Sequence, residues 1–286
     1  WRSCSRHATA GCNSFRMSVS THARLDKLLI ERGLVASRPR AERLITEHGV
    51  LVDGVKVNKP GKKFPLNVRI ELIQEDMHWV SRGALKLLAA LERWRDIKVE
   101  DKKALDVGCS TGGFSHVLLD FGATAVLGVD TGRDQFDPTL ADNARMVVRE
   151  STNVKDLTRG EVNEVIGGLP ELVVIDVSFV GLAHIFPTVA QLTEPGTPVV
   201  ALVKPQFEVG KDRVGKGGVV RDPAAHRDAI EQVMASAAEL GWHAQGIVAS
   251  PITGPAGNHE YVLWLSEQQA AERPDLDRLV ATTLAS

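Results

Sequence analysis

Residues 105–115 read LDVGCSTGGFS, an apolar run that meets a glycine, passes through small residues and resumes after a glycine pair. That order predicts a strand, a tight turn and the start of a helix, a local structure that turns backbone N–H groups toward a nucleotide-like ligand. A dinucleotide fingerprint would need G-x-G-x-x-G, so that the backbone can approach a pyrophosphate. Here Ser110 stands where the second glycine belongs. The stretch 210–217, GKDRVGKG, offers half of a phosphate loop, but Gly217 occupies the place of the Ser or Thr that would ligand Mg²⁺. It reads instead as a basic loop carrying Lys211, Arg213 and Lys216.

Outward from the glycine turn, apolar strands alternate with helical stretches. KALDVG, AVLGVD, ARMVVRE, ELVVIDVSF and PVVALVK are the strands of an α/β fold with a parallel sheet. The helix over 222–241 is the clearest, with Asp222 as cap, Pro223 in its first turn and Gly241 past its end. Two last strands, AQGIVAS and HEYVLWLSE, are joined too tightly for a helical crossover and are expected to pair antiparallel at the sheet edge.

Upstream the pattern is finer. RLDKLLIERGLV and SRPRAERLITEHG predict two short helices, the second capped by Ser37, and VLVDGVKVN predicts a hairpin turning at Asp53–Gly54, with VRIELI as a further strand. Residues 1–80 carry 14 Lys and Arg against 8 Asp and Glu, while the remainder carries 20 against 28. The front of the chain is therefore suited to an anion, and seven of its basic residues, Arg24, Lys27, Arg38, Arg40, Arg43, Lys56 and Lys59, suit a phosphate backbone. Three cysteines are too few for a disulfide framework, which points to a reducing compartment. Apolar runs stay far below the roughly 20 residues that span a bilayer. Residues 1–20 are set aside as a disordered extension, either a presequence or the product of a start site upstream of Met17.

Three resemblances add to this reading. Asp106 to Phe114, D-x-G-x-x-x-G-G-F, resembles the first motif of the S-adenosyl-L-methionine-dependent methyltransferases. That resemblance implies a Rossmann-like methyltransferase fold and a cofactor set of Asp106, Gly108, Ser110, Gly112, Gly113 and Phe114, with Asp130 on the ribose and Asn153 on the adenine. RLDKLL, SRPRAERLI, VLVDG and KP resemble the small α+β S4 RNA-binding domain, which implies RNA contacts by the seven basic residues above, joined by Arg82. Lys86, Asp176, Lys204 and Glu260, in that order along the chain, resemble the K-D-K-E set of FtsJ-like ribose 2'-O-methyltransferases.

Together the chain from Thr21 to about Ser266 resembles the TlyA family of ribosomal RNA 2'-O-methyltransferases, some of whose members are labelled hemolysins. The resemblance implies 2'-O-methylation of a cytidine ribose in 23S RNA, with 16S RNA open as a second target. It implies a cytoplasmic, membrane-free monomer or weak dimer whose partner is ribosomal RNA in the ribosome or its subunits. The expected division is an extension over 1–20, an S4 domain over 21–80, a methyltransferase domain over 81–268 and a helical tail over 269–286.

The chemistry suits these residue types. A ribose 2'-hydroxyl is a poor nucleophile, so a neutral amine must remove its proton or an ammonium must stabilise the alkoxide. Lysine does either, and carboxylates orient it. Lys204 is expected as the base, with Lys86 and Asp176 positioning the hydroxyl and no metal required. IDVSF at 175–179 lacks the Asn/Asp-Pro-Pro-aromatic sequence of amino-group methyltransferases, and Cys109 lies in the cofactor turn, not where a cytosine C5 nucleophile belongs. A non-catalytic S4-type RNA-binding protein and a membrane-active hemolysin are the rival readings.

Overall fold

The computed structural model describes residues 21–35, 38–73, 78–270 and 272–285. The extension over 1–20, Ser37 and the side chain of Arg43 lie outside the described residues. The chain divides into two compact units, Trp1–Asp76 and Met77–Ser286.

In the first unit, β1 (His22–Arg24) leads into α1 (Leu25–Glu31) and α2 (Arg38–Glu47), followed by β2 (Val50–Val52), β3 (Val55–Val57), β4 (Lys63–Pro65) and β5 (Ile70–Leu72). Leu25, Leu28 and Leu29 of α1 and Ile45 of α2 recur at helical spacing and bury against Val50 and Val52. The hairpin turns where expected, at Asp53–Gly54, both left-handed (φ 50° and 80°), as a two-residue turn between twisted strands requires. β1 and β4 pair antiparallel although neither was legible as a strand, being three residues each without alternation.

Asp26 is 1% exposed and accepts from Arg24 at 2.7 Å, with Arg38 3.4 Å away. Arg24 holds its carboxyl below the usual carboxylate range. Part of the basic charge expected to meet RNA is therefore already matched: Arg24 and Arg38 share Asp26 and Glu42, and Lys27 pairs with Glu31. Lys56, Lys59 and, in the second unit, Arg82 are exposed with no acidic partner among the described residues, and Arg40 is half-buried.

The second unit runs α3 (Ala84–Arg93), β6 (Lys103–Val107), α4 (Gly113–Asp120), β7 (Ala125–Val129), α5 (Pro138–Ala141), β8 (Met146–Arg149), α6 (Arg159–Ile166), β9 (Leu172–Ile175), α7 (Phe186–Leu192), β10 (Val199–Val203), α8 (Pro205–Glu208), α9 (Pro223–Ala238), β11 (His243–Ala249), β12 (Tyr261–Ser266) and α10 (Leu276–Leu284). Its seven strands lie in the order β11-β12-β10-β9-β6-β7-β8. β6 to β10 are parallel, and β12 is antiparallel to both neighbours, its pairing with β11 being the one the tight final connection predicts. LVVI of β9 and VVALV of β10 are buried throughout because helices cover both faces of the sheet.

Gly246 sits at a bulge in β11, where a Cβ would come 2.6 Å from the Trp94 indole. Asp222 caps α9 by accepting from Ala224 N–H, with Pro223 in the first turn. α10, within the helical tail expected over 269–286, buries Leu276 and Val280 in the main core beside α9 and β11. Its amphipathic face is too apolar to remain in solvent.

Candidate active site

From β6 the chain winds outward through β7 and β8, then returns to place β9 on the other side of β6. This reversal opens a crevice at the carboxyl ends of β6 and β9, where open α/β sheets bind their ligands. The glycine turn occupies one lip and Asp176 the other. Gly108 has φ +83°, and a Cβ there would come 2.5 Å from the Asp176 carbonyl oxygen, so the close approach of the two lips requires glycine.

Two cavities meet at this crevice, sharing Gly108, Ser110, Asp176, Ser178 and Phe179 as a common wall. One, of about 470 Å³, is lined by Asp130, Gly132, Thr152, Asn153 and Val154. Asp130 follows β7 directly, and its two oxygens accept from Gly132 N–H (2.7 Å) and Ser110 N–H (2.8 Å). It thereby braces the turn while lining the cavity. Asn153 lines the same cavity and caps the following 3₁₀ turn through Lys155 N–H.

The other cavity, of about 480 Å³, holds Lys86 of α3, Asp176 after β9, Lys204 after β10 and Glu260 before β12. Four residues spread over 174 positions converge here. Lys86 Nζ donates to Glu260 Oε2 at 2.6 Å and lies 4.0 Å from Asp176 Oδ2. Lys204 Nζ lies 2.6 Å from Asp176 Oδ1, an ion-pair contact off the hydrogen-bond axis, and donates to Ser178 Oγ at 2.9 Å. The result is an alternating series, Glu260–Lys86–Asp176–Lys204. Both lysines and Glu260 are buried, with Asp176 the most open of the four.

The expected cofactor residues divide. Gly108, Ser110, Asp130, Asn153, Gly113 and Phe114 line one or both cavities, whereas Asp106 and Gly112 line neither. Alternation along β6 explains Asp106: Leu105 and Val107 face the core beneath α6 and α7, so Asp106 points under α4 and accepts from Ser115 Oγ at 2.6 Å. It is fully buried, its Oδ1 has no partner, and burial pushes its carboxyl up to about 7. Its place is beneath the turn, where it holds Ser115 at the start of α4.

Burial likewise pushes the Cys109 thiol up, which disfavours the thiolate a nucleophile needs. In the basic loop, Arg213 is matched by Asp222 and Asp228, while Lys211 and Lys216 remain exposed. Outside the crevice, His78, His116 and Asp120 bring ligand-type atoms within 4.8 Å of one another. There His78 is paired with Asp120 at 2.7 Å, and Val80 N–H is directed at His116 Nδ1.

Three lining residues were not singled out by sequence reasoning. Ser178 bonds Lys204, Gln206 follows it by two positions, and Phe179 is 91% exposed with φ +66°, its ring centroid 5.1 Å from that of Phe207. The only sequence signal was their position just past two apolar strands. An exposed aromatic held in left-handed backbone is costly, and such strain collects at functional sites.

Comparison with known proteins adds the following. Residues 79–267 match the FtsJ-like methyltransferase family and residues 23–70 the S4 domain. Over 251 residues, 87% of this chain and 92% of the relative, the sequence is 44% identical to the Mycobacterium tuberculosis protein named 16S/23S rRNA (cytidine-2'-O)-methyltransferase TlyA. It is 35% identical to Brachyspira hyodysenteriae Hemolysin A, covering 84% of this chain and 98% of that one. A solved structure from Streptococcus thermophilus, described as a hemolysin, superposes with a TM-score of 0.70 at 35% identity, covering 92% of this chain and 96% of that one.

Proposed function

Since this chain belongs to the TlyA-type FtsJ-like methyltransferases with an S4 domain, we propose that it transfers a methyl group from S-adenosylmethionine to the 2'-hydroxyl of a cytidine ribose in ribosomal RNA. The observation that carries this reading is the series Glu260–Lys86–Asp176–Lys204, whose Asp176 lies on the wall shared with a nucleoside-sized cavity. The residues present fit the cofactor. Asp130 offers a carboxylate with further lone pairs for a ribose diol, Asn153 and Val154 line the same cavity, and the Gly108 turn is close to the limit of backbone approach. When bound, S-adenosylmethionine supplies an electrophilic methyl group.

Lys204, once it has released its own proton to solvent and stands as the neutral amine, takes the 2'-hydroxyl proton as the oxygen attacks. Asp176, 2.6 Å from Nζ, stabilises the ammonium that forms, and Ser178 holds the amine's direction. Lys86, fixed by Glu260 from the opposite side, places a second positive charge where the alkoxide develops. The low exposure of the cluster strengthens these interactions by excluding water. Phe179 and Phe207 supply an aromatic surface at the mouth, suited to the face of an unstacked base.

The S4 domain supplies sequence-independent phosphate contacts, with Lys56 and Lys59 among the basic residues there that are exposed and without an acidic partner among the described residues. The target lies in 23S RNA within the ribosome or its subunits, with 16S RNA as a second candidate, and the protein works in the cytoplasm as a monomer or weak dimer. Among the described residues no helix is long and apolar enough to cross a membrane. The intact lysine and carboxylate series favours the enzyme over a non-catalytic RNA-binding protein. Mass spectrometry of ribosomal RNA nucleosides from a deletion strain, complemented with the wild type or Lys204→Ala, tests the reading. A 2'-O-methylated cytidine lost on deletion and restored only by the wild type is expected; loss of a base methyl group in its place would overturn it.

A further inference from the structure

The cavity assigned to the cofactor has one wall without regular secondary structure, residues 131–136 between β7 and α5, of which Thr131, Gly132 and Gln135 line the cavity. Asp134 there takes left-handed backbone (φ 55°), a conformation that must be held by contacts from outside the segment. Glu150, the residue after β8, makes them. Its Oε1 accepts from Gln135 N–H (2.7 Å) and Phe136 N–H (3.0 Å), and its Oε2 accepts from Asp134 N–H (3.0 Å). Those N–H groups, Gln135's first among them, hold the Glu150 carboxyl below the usual carboxylate range. Glu150 does not itself line the cavity. The segment it holds in turn grips the glycine turn: Ser110 Oγ donates to Gln135 Oε1 at 3.3 Å, Asp137 N–H donates to the Thr111 carbonyl at 3.3 Å, and the Phe136 ring lies against Gly112, where a Cβ would come 2.8 Å from it.

We propose that Glu150 is a positioning residue for the cofactor, its carboxylate pinning residues 134–136 so that the cavity wall and the glycine turn stand in their binding arrangement before the ligand arrives. The inference rests on the reading of this cavity as the S-adenosylmethionine site and adds the group that shapes it from behind. A site whose wall is in place in only a fraction of molecules binds more weakly by that fraction, because binding must also order the chain. Without the carboxylate, the left-handed backbone at Asp134 relaxes and the grip of Gln135 and Phe136 on Ser110 and Gly112 loosens. Lys86, Lys204 and Glu260 line the other cavity, so the loss falls on cofactor affinity and not on the transfer step.

Calorimetry with S-adenosylmethionine on the full chain, as wild type, Glu150→Ala and Glu150→Gln, tests this. A wall in place in roughly 1–10% of molecules corresponds to a 10- to 100-fold loss of affinity, the result expected for Glu150→Ala. Glu150→Gln keeps an oxygen for the Gln135 and Phe136 N–H groups but turns an NH₂ toward Asp134 N–H, so its affinity should fall by less than about tenfold. In methyl transfer to ribosomal RNA, both variants should show a raised KM for S-adenosylmethionine and the wild-type kcat, a split that general damage to the fold would not produce. Thermal melting without cofactor checks that each variant is folded; if Glu150→Ala is not, the fall in affinity of Glu150→Gln decides. Unchanged affinity in every variant that folds, or a kcat lost at saturating cofactor, would overturn the role of Glu150 while leaving the site assignment intact. Failure of the wild-type protein to bind S-adenosylmethionine would overturn both.

Discussion

Lys204 carries the sharpest expectation at the level of a single residue. Arginine at 204 would keep a positive charge beside Asp176 but cannot give up its proton near neutral pH. General-base assistance contributes about 10²- to 10⁴-fold, so Lys204→Arg should lower the single-turnover rate by that order while cofactor affinity holds. A near-normal rate would make Lys204 an electrostatic stabiliser and move the base to Lys86 or Asp176. Asp106 makes a different prediction. Its carboxyl sits at about 7 in the fold and ionises near 4 when unfolded, so the stability it lends is fully present below about pH 4 and is lost as pH rises through 7. Glu208, raised by burial to about 7, acts in the same direction. The melting temperature should fall between about pH 4 and 7 and level off above, and Asp106→Asn should flatten that fall while Glu208 retains its part; an unchanged slope in thermal melts would contradict the assignment. The four charged residues were found through their resemblance to a K-D-K-E set, with Asp176 and Lys204 also standing just past apolar strands. Ser178 and Gln206 were not, since neither residue type is unusual there and only the fold shows that both face Lys204 or its cavity.

The element that defines the site is the turn from β6 to α4. Its strand, glycines and helix were readable from LDVGCSTGGFS, but the reason for Gly108 was not, because the Asp176 carbonyl that excludes a Cβ lies 68 positions away. Gly108→Ala should cost about 1 kcal/mol for the left-handed backbone alone, plus whatever the displaced lip costs. Calorimetry should show S-adenosylmethionine affinity lowered at least tenfold, and an unchanged affinity would mean the lips tolerate separation. Periodicity found the long elements and the hairpin, whereas β1 and β4 carry too few residues to show a period. The helix of the tail was legible, but an amphipathic helix does not announce what covers it. Leu276 and Val280 show that the domain's own core does.

For the whole molecule, the charge asymmetry between the front of the chain and the remainder is the feature most plainly written in the sequence. The division of labour it suggests is open to a direct test. A protein comprising residues 77–286 should fold and bind S-adenosylmethionine, yet methylate ribosomal RNA far more slowly than the full chain. The full chain's RNA affinity should fall linearly on a log–log plot against salt, with a slope set by the number of phosphates contacted. Full activity in the shortened protein would remove the S4 domain from target recognition. The central claim, that the buried lysines act on a ribose hydroxyl, is tested most directly by removing that hydroxyl. Ribosomal RNA carrying a 2'-deoxy sugar at the mapped nucleotide should accept no methyl group from radiolabelled S-adenosylmethionine, while the matching all-ribose RNA is labelled to one methyl per molecule. Equal labelling of the two RNAs would place the methyl group on the base and contradict the account.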